Sequence, residues 1–160
     1  MDRRFAHGRN LRRGRHSERG RIYFITSCCH NKQRVFADPS LANLMCEAFE
    51  YEDRRNDSLS LAFVVMPDHV HWLLQIGEKW PLEQVVNSLK GRSARQINLA
   101  RGARGKLWQG GFHDRALRKE EDLEAAADYL IHNPVRAGLV TRPNDYRFWM
   151  SVWHPNRVRA

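Results

Sequence analysis

The sequence predicts an α+β protein: a ferredoxin-like antiparallel sheet in the order β-α-β-β-α-β, with helices on one face plus a C-terminal helix carrying a tyrosine. Three observations predict it. Four short runs rich in β-branched and aromatic residues alternate with stretches whose apolar residues recur at helical spacing. Two of those runs are joined only by Pro67 and Asp68, a connection that favours an antiparallel hairpin. The chain has 160 residues, enough for one domain with a real core and too few for two comfortable ones.

Ile22 to Cys29 (IYFITSCC) reads as the first strand, followed by a polar turn at His30 to Gln33. Leu41, Leu44, Met45, Ala48 and Phe49 then share a helical face. With Ser40 where an N-cap would sit, they predict a helix from residue 40 to about 54. Leu59 to Met66 (LSLAFVVM) and His69 to Ile76 (HVHWLLQI) are the two hairpin strands, expected at the centre of the sheet. Pro81, Leu82, Val85, Val86, Leu89 and Ile97 mark a second helix, which exits into the Gly- and Arg-rich loop Arg101 to Lys106 (RGARGK). A short strand is expected at Phe112 to Leu117. The last helix starts near Glu120 on the face of Leu123, Ala126, Ala127 and Leu130, and the pre-proline restriction closes it at Asn133. An aromatic tail ending in WMSVW is read as irregular.

Lys plus Arg outnumber Asp plus Glu by 27 to 18, and a pI near 10.1 points to a polyanionic partner, nucleic acid ahead of anionic membrane. Apolar runs are far too short for a membrane span, and the Arg-rich start lacks the apolar segment of a signal peptide, so a cytoplasmic, nucleoid-associated setting is expected. Cys28, Cys29 and Cys46 form no CxxC pair and are expected to be reduced thiols. Residues 1–21 carry eight arginines against one Asp and one Glu and are expected to form a flexible basic arm, with Arg12, Arg13 and Arg15 as candidate phosphate contacts. Residues 22–160 form the folded domain. A second basic set, Lys90, Arg92, Arg95, Arg101, Arg104 and Lys106, falls in a stretch without any acidic residue, the pattern of either a DNA-binding helix end or a solvated face. Trp72, Trp108 and Phe112 could stack unpaired bases, but aromatic residues in strands are more often core.

His69-Val70-His71 opens a strand, so both imidazoles project from one face while Val70 points to the other. That spacing suits two ligands of one metal, although paired strand histidines without a metal are the commoner explanation of the pattern alone. Tyr129 and Asn133 are four residues apart on the last helix, within about 40° of one another around its axis. On spacing alone they also fit a core-edge aromatic and a helix C-cap.

MPDHVHWLL at 66–74, LWQGGFHDRALR at 107–118 and DYLIHNPVRAGLV at 128–140, together with RIYFITSCCHNKQRVF near the start, resemble the REP-associated tyrosine transposases of the HUH single-strand transposase superfamily. The resemblance spans roughly residues 20–153, and three motifs in order are far more specific than any one. It implies that His69 and His71 are the HUH metal ligands, Tyr129 the nucleophile and Asn133 the third ligand, where more distant relatives carry Gln. The implied cofactor is Mg²⁺ or Mn²⁺, in keeping with oxygen and imidazole donors. The implied substrate is single-stranded or hairpin DNA, cut through a 5′-phosphotyrosine with release of a 3′-OH. Tyrosine has an unperturbed pKa near 10, so such attack at neutral pH needs nearby positive charge or a proton acceptor. The competing readings are a non-catalytic nucleic-acid-binding module of ferredoxin-like fold and a metal hydrolase without a covalent intermediate. The first lacks the aromatic signature of RNA-recognition domains, and Tyr129 separates the second. The oligomeric state, monomer or homodimer, is left open.

Overall fold

The computed structural model describes residues 20–55, 57–118 and 120–155. Arg12, Arg13 and Arg15, and all of the expected arm before Gly20, lie outside the described residues.

Strands β1 (Ile22–Cys28), β2 (Ser58–Val65), β3 (His69–Ile76), β4 (His113–Leu117) and β5 (Trp149–Ser151) form one sheet in the order β4-β1-β3-β2-β5. Every neighbouring pair is antiparallel. The first four strands give the ferredoxin-like arrangement, and β5 extends it by lying along β2. Helices are α1 (Pro39–Arg55), α2 (Leu82–Arg101), α3 (Glu120–Ile131) and the single turn α4 (Asn133–Arg136).

Strand alternation builds two cores on opposite faces of this sheet. On one face Ile25, Phe63, Val65, Val70, Trp72 and Leu74 pack against α1 and α2 through Met45, Phe49, Leu82, Val86 and Leu89. Trp72, Trp108 and Phe112 all belong to this core, so none of them is a base-stacking platform. The Trp72 indole donates to Ser60 Oγ at 2.7 Å and the Trp108 indole to Ser93 Oγ at 3.0 Å, which satisfies two buried N–H groups. On the other face Phe24, Ala62, Val64, Leu73 and Leu117 meet Ala126, Ala127, Leu130 and Ile131 of α3, together with Trp149. α3 therefore covers the face that α1 and α2 leave open.

Three local expectations change. Asp38, not Ser40, caps α1: its Oδ1 accepts from Ser40 N at 2.9 Å and from Ser40 Oγ at 2.7 Å, with Pro39 as the first helical residue. The last helix does not run to Asn133. It stops at Ile131, and a new turn begins at Asn133 with Pro134 in its first positions, where a missing N–H costs nothing. The aromatic tail is not irregular, because Trp149–Ser151 pairs with Ala62–Val64 and Trp149 is 1% exposed. Among the described residues no helix is long and apolar enough to cross a membrane.

Candidate functional site

The tight turn after β2 fixes the site. Met66 N donates to His69 O at 2.8 Å, so β3 begins at His69 at the very end of the sheet. Val70 is buried in the α1/α2 core, which turns His69 and His71 to the face that carries α3. Their ring centroids lie 4.8 Å apart with the planes inclined at 77°.

Each imidazole is anchored through Nδ1. The Asp68 carboxylate lies 2.7 Å from His69 Nδ1, and because an ionised carboxylate only accepts, it selects the tautomer with the Nε2 lone pair free. Thr26 Oγ1 lies 2.8 Å from His71 Nδ1 and can hold that ring in the same way. Thr26 is opposite His71 in the β1·β3 register and opposite His113 in the β1·β4 register, so His71, Thr26 and His113 form one row on this face. Burial pushes His71 down to about 3, and the neighbouring His69, Arg136 and His113 act in the same direction, so this ring stays a neutral donor through the physiological range. Cys28 is opposite His69 in register, and burial followed by the Asp68 charge raises its thiol. Cys28, Cys29 and Cys46 form no disulfide; Cys29 is pushed up to about 12 mainly by burial, and Cys46 is buried. Neither Cys28 nor Cys29 gains thiolate character at neutral pH from these influences.

The buried Ala126, Ala127, Leu130 and Ile131 seat α3 on the sheet and leave Tyr129 at the rim, 54% exposed. Its ring centroid is 6.4 Å from that of His71 and 6.2 Å from that of Phe24. The structure thus brings Tyr129 and His71 together from elements 58 positions apart in the chain. Asn133 is half-buried at the break between α3 and α4. Arg136, seven residues after Tyr129, turns back over it: its guanidinium carbon is 3.9 Å from the ring centroid, and Nη2 donates to the Tyr129 carbonyl. Arg115 on β4 stands 5.8 Å from the Phe24 centroid on the same face.

The basic stretch divides. Lys90 points inward, donating to Gln109 O at 2.9 Å and Gly111 O at 2.6 Å, where it staples α2 to the loop before β4. Arg92 is held at 3.2 Å from Glu52 Oε1 and lies 4.1 Å from the Tyr51 ring centroid. Arg101 Nε donates to Asn98 Oδ1 at 3.0 Å. Arg95, Arg104 and Lys106 are exposed. α2 itself lies on the face opposite the histidines. The following loop returns to them, with His30 N donating to Leu107 O and Gln109 N to the carbonyl of Cys28, the residue paired with His69.

The burial of Lys90 carries a prediction. Desolvation lowers its ammonium to about 8 from the ordinary 10.5, so the unfolded chain binds more protons than the folded one between those values. The Lys90 contribution to stability is therefore expected to rise with pH from about 8 to about 10.5, against the opposite contribution of the raised Cys29 thiol, and is read as the difference between wild type and Lys90→Met in urea midpoints at both ends of the window. DNA affinity is expected to be unchanged in Lys90→Met. A several-fold loss in the folded variant would return Lys90 to the DNA contacts.

Sequence reasoning missed Thr26, Asp68, His113, Arg115 and Arg136. Asp68 and Arg136 had a signal, adjacency to His69 and a spacing of two turns from Tyr129. Thr26, His113 and Arg115 become visible only once strand register is known.

Residues 20–133 match the family described as "Transposase IS200 like". The chain is 24% identical over 146 residues to a Haemophilus influenzae protein whose name assigns it to the REP-associated tyrosine transposases, covering 81% of this chain and 79% of that one. It is 30% identical over 102 residues to the REP-associated tyrosine transposase of Escherichia coli, covering 62% and 56% of the two chains. The fold is similar to that of a REP-associated tyrosine transposase solved bound to a REP hairpin, with a TM-score of 0.70 at 24% identity, covering 84% of this chain and 79% of the other. The chain belongs to the IS200-like transposase family and is an enzyme of the transposase type.

Proposed function

We propose that the chain is a metal-dependent single-strand DNA endonuclease and strand transferase that cuts at REP-type hairpins through a 5′-phosphotyrosine on Tyr129. The observation that carries this is the approach of Tyr129 to His71, 6.4 Å between ring centroids, on one face of one chain. The names of the relatives, and the REP hairpin bound to the transposase of similar fold, support the substrate class.

The ligands we assign to a divalent cation such as Mg²⁺ or Mn²⁺ are His69 and His71, each held through Nδ1, with the amide oxygen of Asn133 as the third, a donor set that suits such an ion. Held by these residues, such an ion would supply Lewis-acid polarisation of a non-bridging phosphate oxygen. Tyr129 Oη attacks phosphorus, the bond to the 3′ oxygen breaks, and the 5′-phosphate becomes an ester of Tyr129. The phenolic proton leaves from the exposed rim, and the departing 3′ oxygen takes one up from water. Attack by a second 3′-OH on the phosphotyrosine reverses these steps and joins strands, so bond energy is conserved and no nucleotide cofactor is consumed. His71, kept neutral by burial, holds its place without gaining charge as the phosphate arrives.

The test is incubation of the protein with Mn²⁺ and a labelled hairpin carrying a single-stranded flank, followed by denaturing electrophoresis. A denaturant-resistant protein–DNA adduct is expected, and its absence with a cognate hairpin demotes the chain to a binder. Thr26 offers a finer test, because Thr26→Val keeps the shape and removes the oxygen 2.8 Å from His71 Nδ1. Loss of such an outer partner costs roughly 10–100-fold in metal affinity, to be read as the Mn²⁺ concentration for half-maximal cleavage. An unchanged Mn²⁺ requirement would remove Thr26 from the site.

A further inference from the structure

We propose that Arg136 and Arg115 form a two-arginine phosphate clamp around the nucleophile, Arg136 seating the scissile phosphodiester beside Tyr129 and Arg115 the neighbouring phosphate of the single-stranded flank. The proposal rests on the reading of Tyr129 as nucleophile.

Neither arginine belongs to the basic runs that the charge pattern singles out. Both stand on the face of the sheet that carries His69, His71 and Tyr129. Arg136 is in contact with the Tyr129 ring, 3.9 Å from guanidinium carbon to centroid. Arg115 faces Phe24 across the β1·β4 ladder, at 5.8 Å from its ring. Phe24 links the two sides, since its centroid is 5.3 Å from that of His71 and 6.2 Å from that of Tyr129. The two cations therefore flank one aromatic cluster with the nucleophile inside it.

Neither is neutralised by a counter-charge. Arg92 is committed to Glu52 and Arg142 to Asp145. Among the described residues neither Arg115 nor Arg136 has a carboxylate within ion-pair distance. Both side chains are exposed. A guanidinium presents a planar fork of donors that matches two phosphate oxygens, and in Arg136, whose Nη2 donates to the Tyr129 carbonyl, the remaining N–H groups are left for a phosphate. Two such forks beside a nucleophile that must meet a polyanion are built for its phosphates. A purely structural account of Arg136 also exists, since it donates to a carbonyl in the last turn of α3. That account predicts a loss of stability and no change in chemistry.

Single-turnover cleavage separates the two. The labelled hairpin with its flank is cut in Mn²⁺ by wild type, Arg136→Ala, Arg136→Lys and Arg115→Ala, with Tyr129→Phe as the adduct-free control and thermal midpoints recorded for each. Arg136→Ala is expected to lower the rate at saturating DNA about 100-fold, the scale of one lost transition-state contact to charge, with half-saturation moved less than about 3-fold. Arg136→Lys is expected to recover no more than about a tenth of the rate, because an ammonium lacks the planar fork. Arg115→Ala is expected to keep the saturating rate within about 3-fold, and to lower by about 0.7 the slope of log affinity against log salt, one single-strand phosphate contact. If Arg136→Ala does not fold at the assay temperature, Arg136→Gln, which retains a donor for the Tyr129 carbonyl, replaces it. A folded Arg136 variant that cuts at the wild-type rate overturns the clamp, as does a wild-type salt slope in Arg115→Ala, and either leaves the Tyr129 reading standing. Wild-type protein that forms no adduct overturns that reading and the clamp together.

Discussion

Tyr129→Phe is expected to abolish both the protein–DNA adduct and strand cleavage while leaving hairpin binding nearly intact. The substitution removes one oxygen from a ring that is 54% exposed, and among the described residues that oxygen makes no hydrogen bond. Stability should therefore move by less than about 0.5 kcal/mol. The ring remains to stack with Phe24 and Arg136. Only the covalent step is lost, and loss of a covalent nucleophile costs at least about 10⁴-fold in rate. Denaturing gels report adduct and cut product on the same lane, and a shift assay reports binding. Cut strands from the folded Phe variant would mean that water or another side chain is the nucleophile, as in a metal hydrolase.

The second large effect is expected at His71. His71→Ala removes a ring held by Thr26 and packed against Phe24. Several kcal/mol of transition-state stabilisation go with a catalytic metal, so cleavage is expected to fall at least about 10³-fold. A buried partner lost from the sheet should also cost about 1–3 kcal/mol in stability. Activity is therefore read well below the melting temperature and across a range of Mn²⁺ concentrations. His69→Ala serves as the companion, because His69 is at the strand end, where its ring is held by the neighbouring Asp68. Wild-type cleavage by either folded variant, or full activity in excess chelator, would remove metal ligation from the mechanism.

The sheet was legible because its strands carry their own signals. The run HVHWLLQI is apolar enough to demand burial on both faces and is bounded by Pro67-Asp68 and Gly77, and its predicted limits are those observed. β5 was not legible, since three residues cannot display a period and Trp149 is identified as a strand residue only by its pairing with Val64. The break at His132 was half legible: Pro134 announced a disturbance, but its place in a new first turn depends on backbone that no pattern displays. At the site, alternation alone put both histidines on one face. The meeting of that face with Tyr129 needed the knowledge that α3 packs opposite α1 and α2, which follows from long-range packing. The charge run at 90–106 misled for a related reason, because Lys90 and Arg92 carry the same formal charge whether they face solvent, a carbonyl or Glu52.

The interruption at His132 divides labour along the last helical segment. Tyr129 belongs to α3, which Ala126, Ala127, Leu130 and Ile131 bolt to the sheet, whereas Asn133 and Arg136 belong to the turn beyond the joint. The angle between Tyr129 and the pair Asn133 and Arg136 is thus set by the backbone at a three-residue joint, His132 to Pro134, with Pro134 itself buried. Changes at the core residues unfold the platform; changes at the joint retune alignment on an intact one.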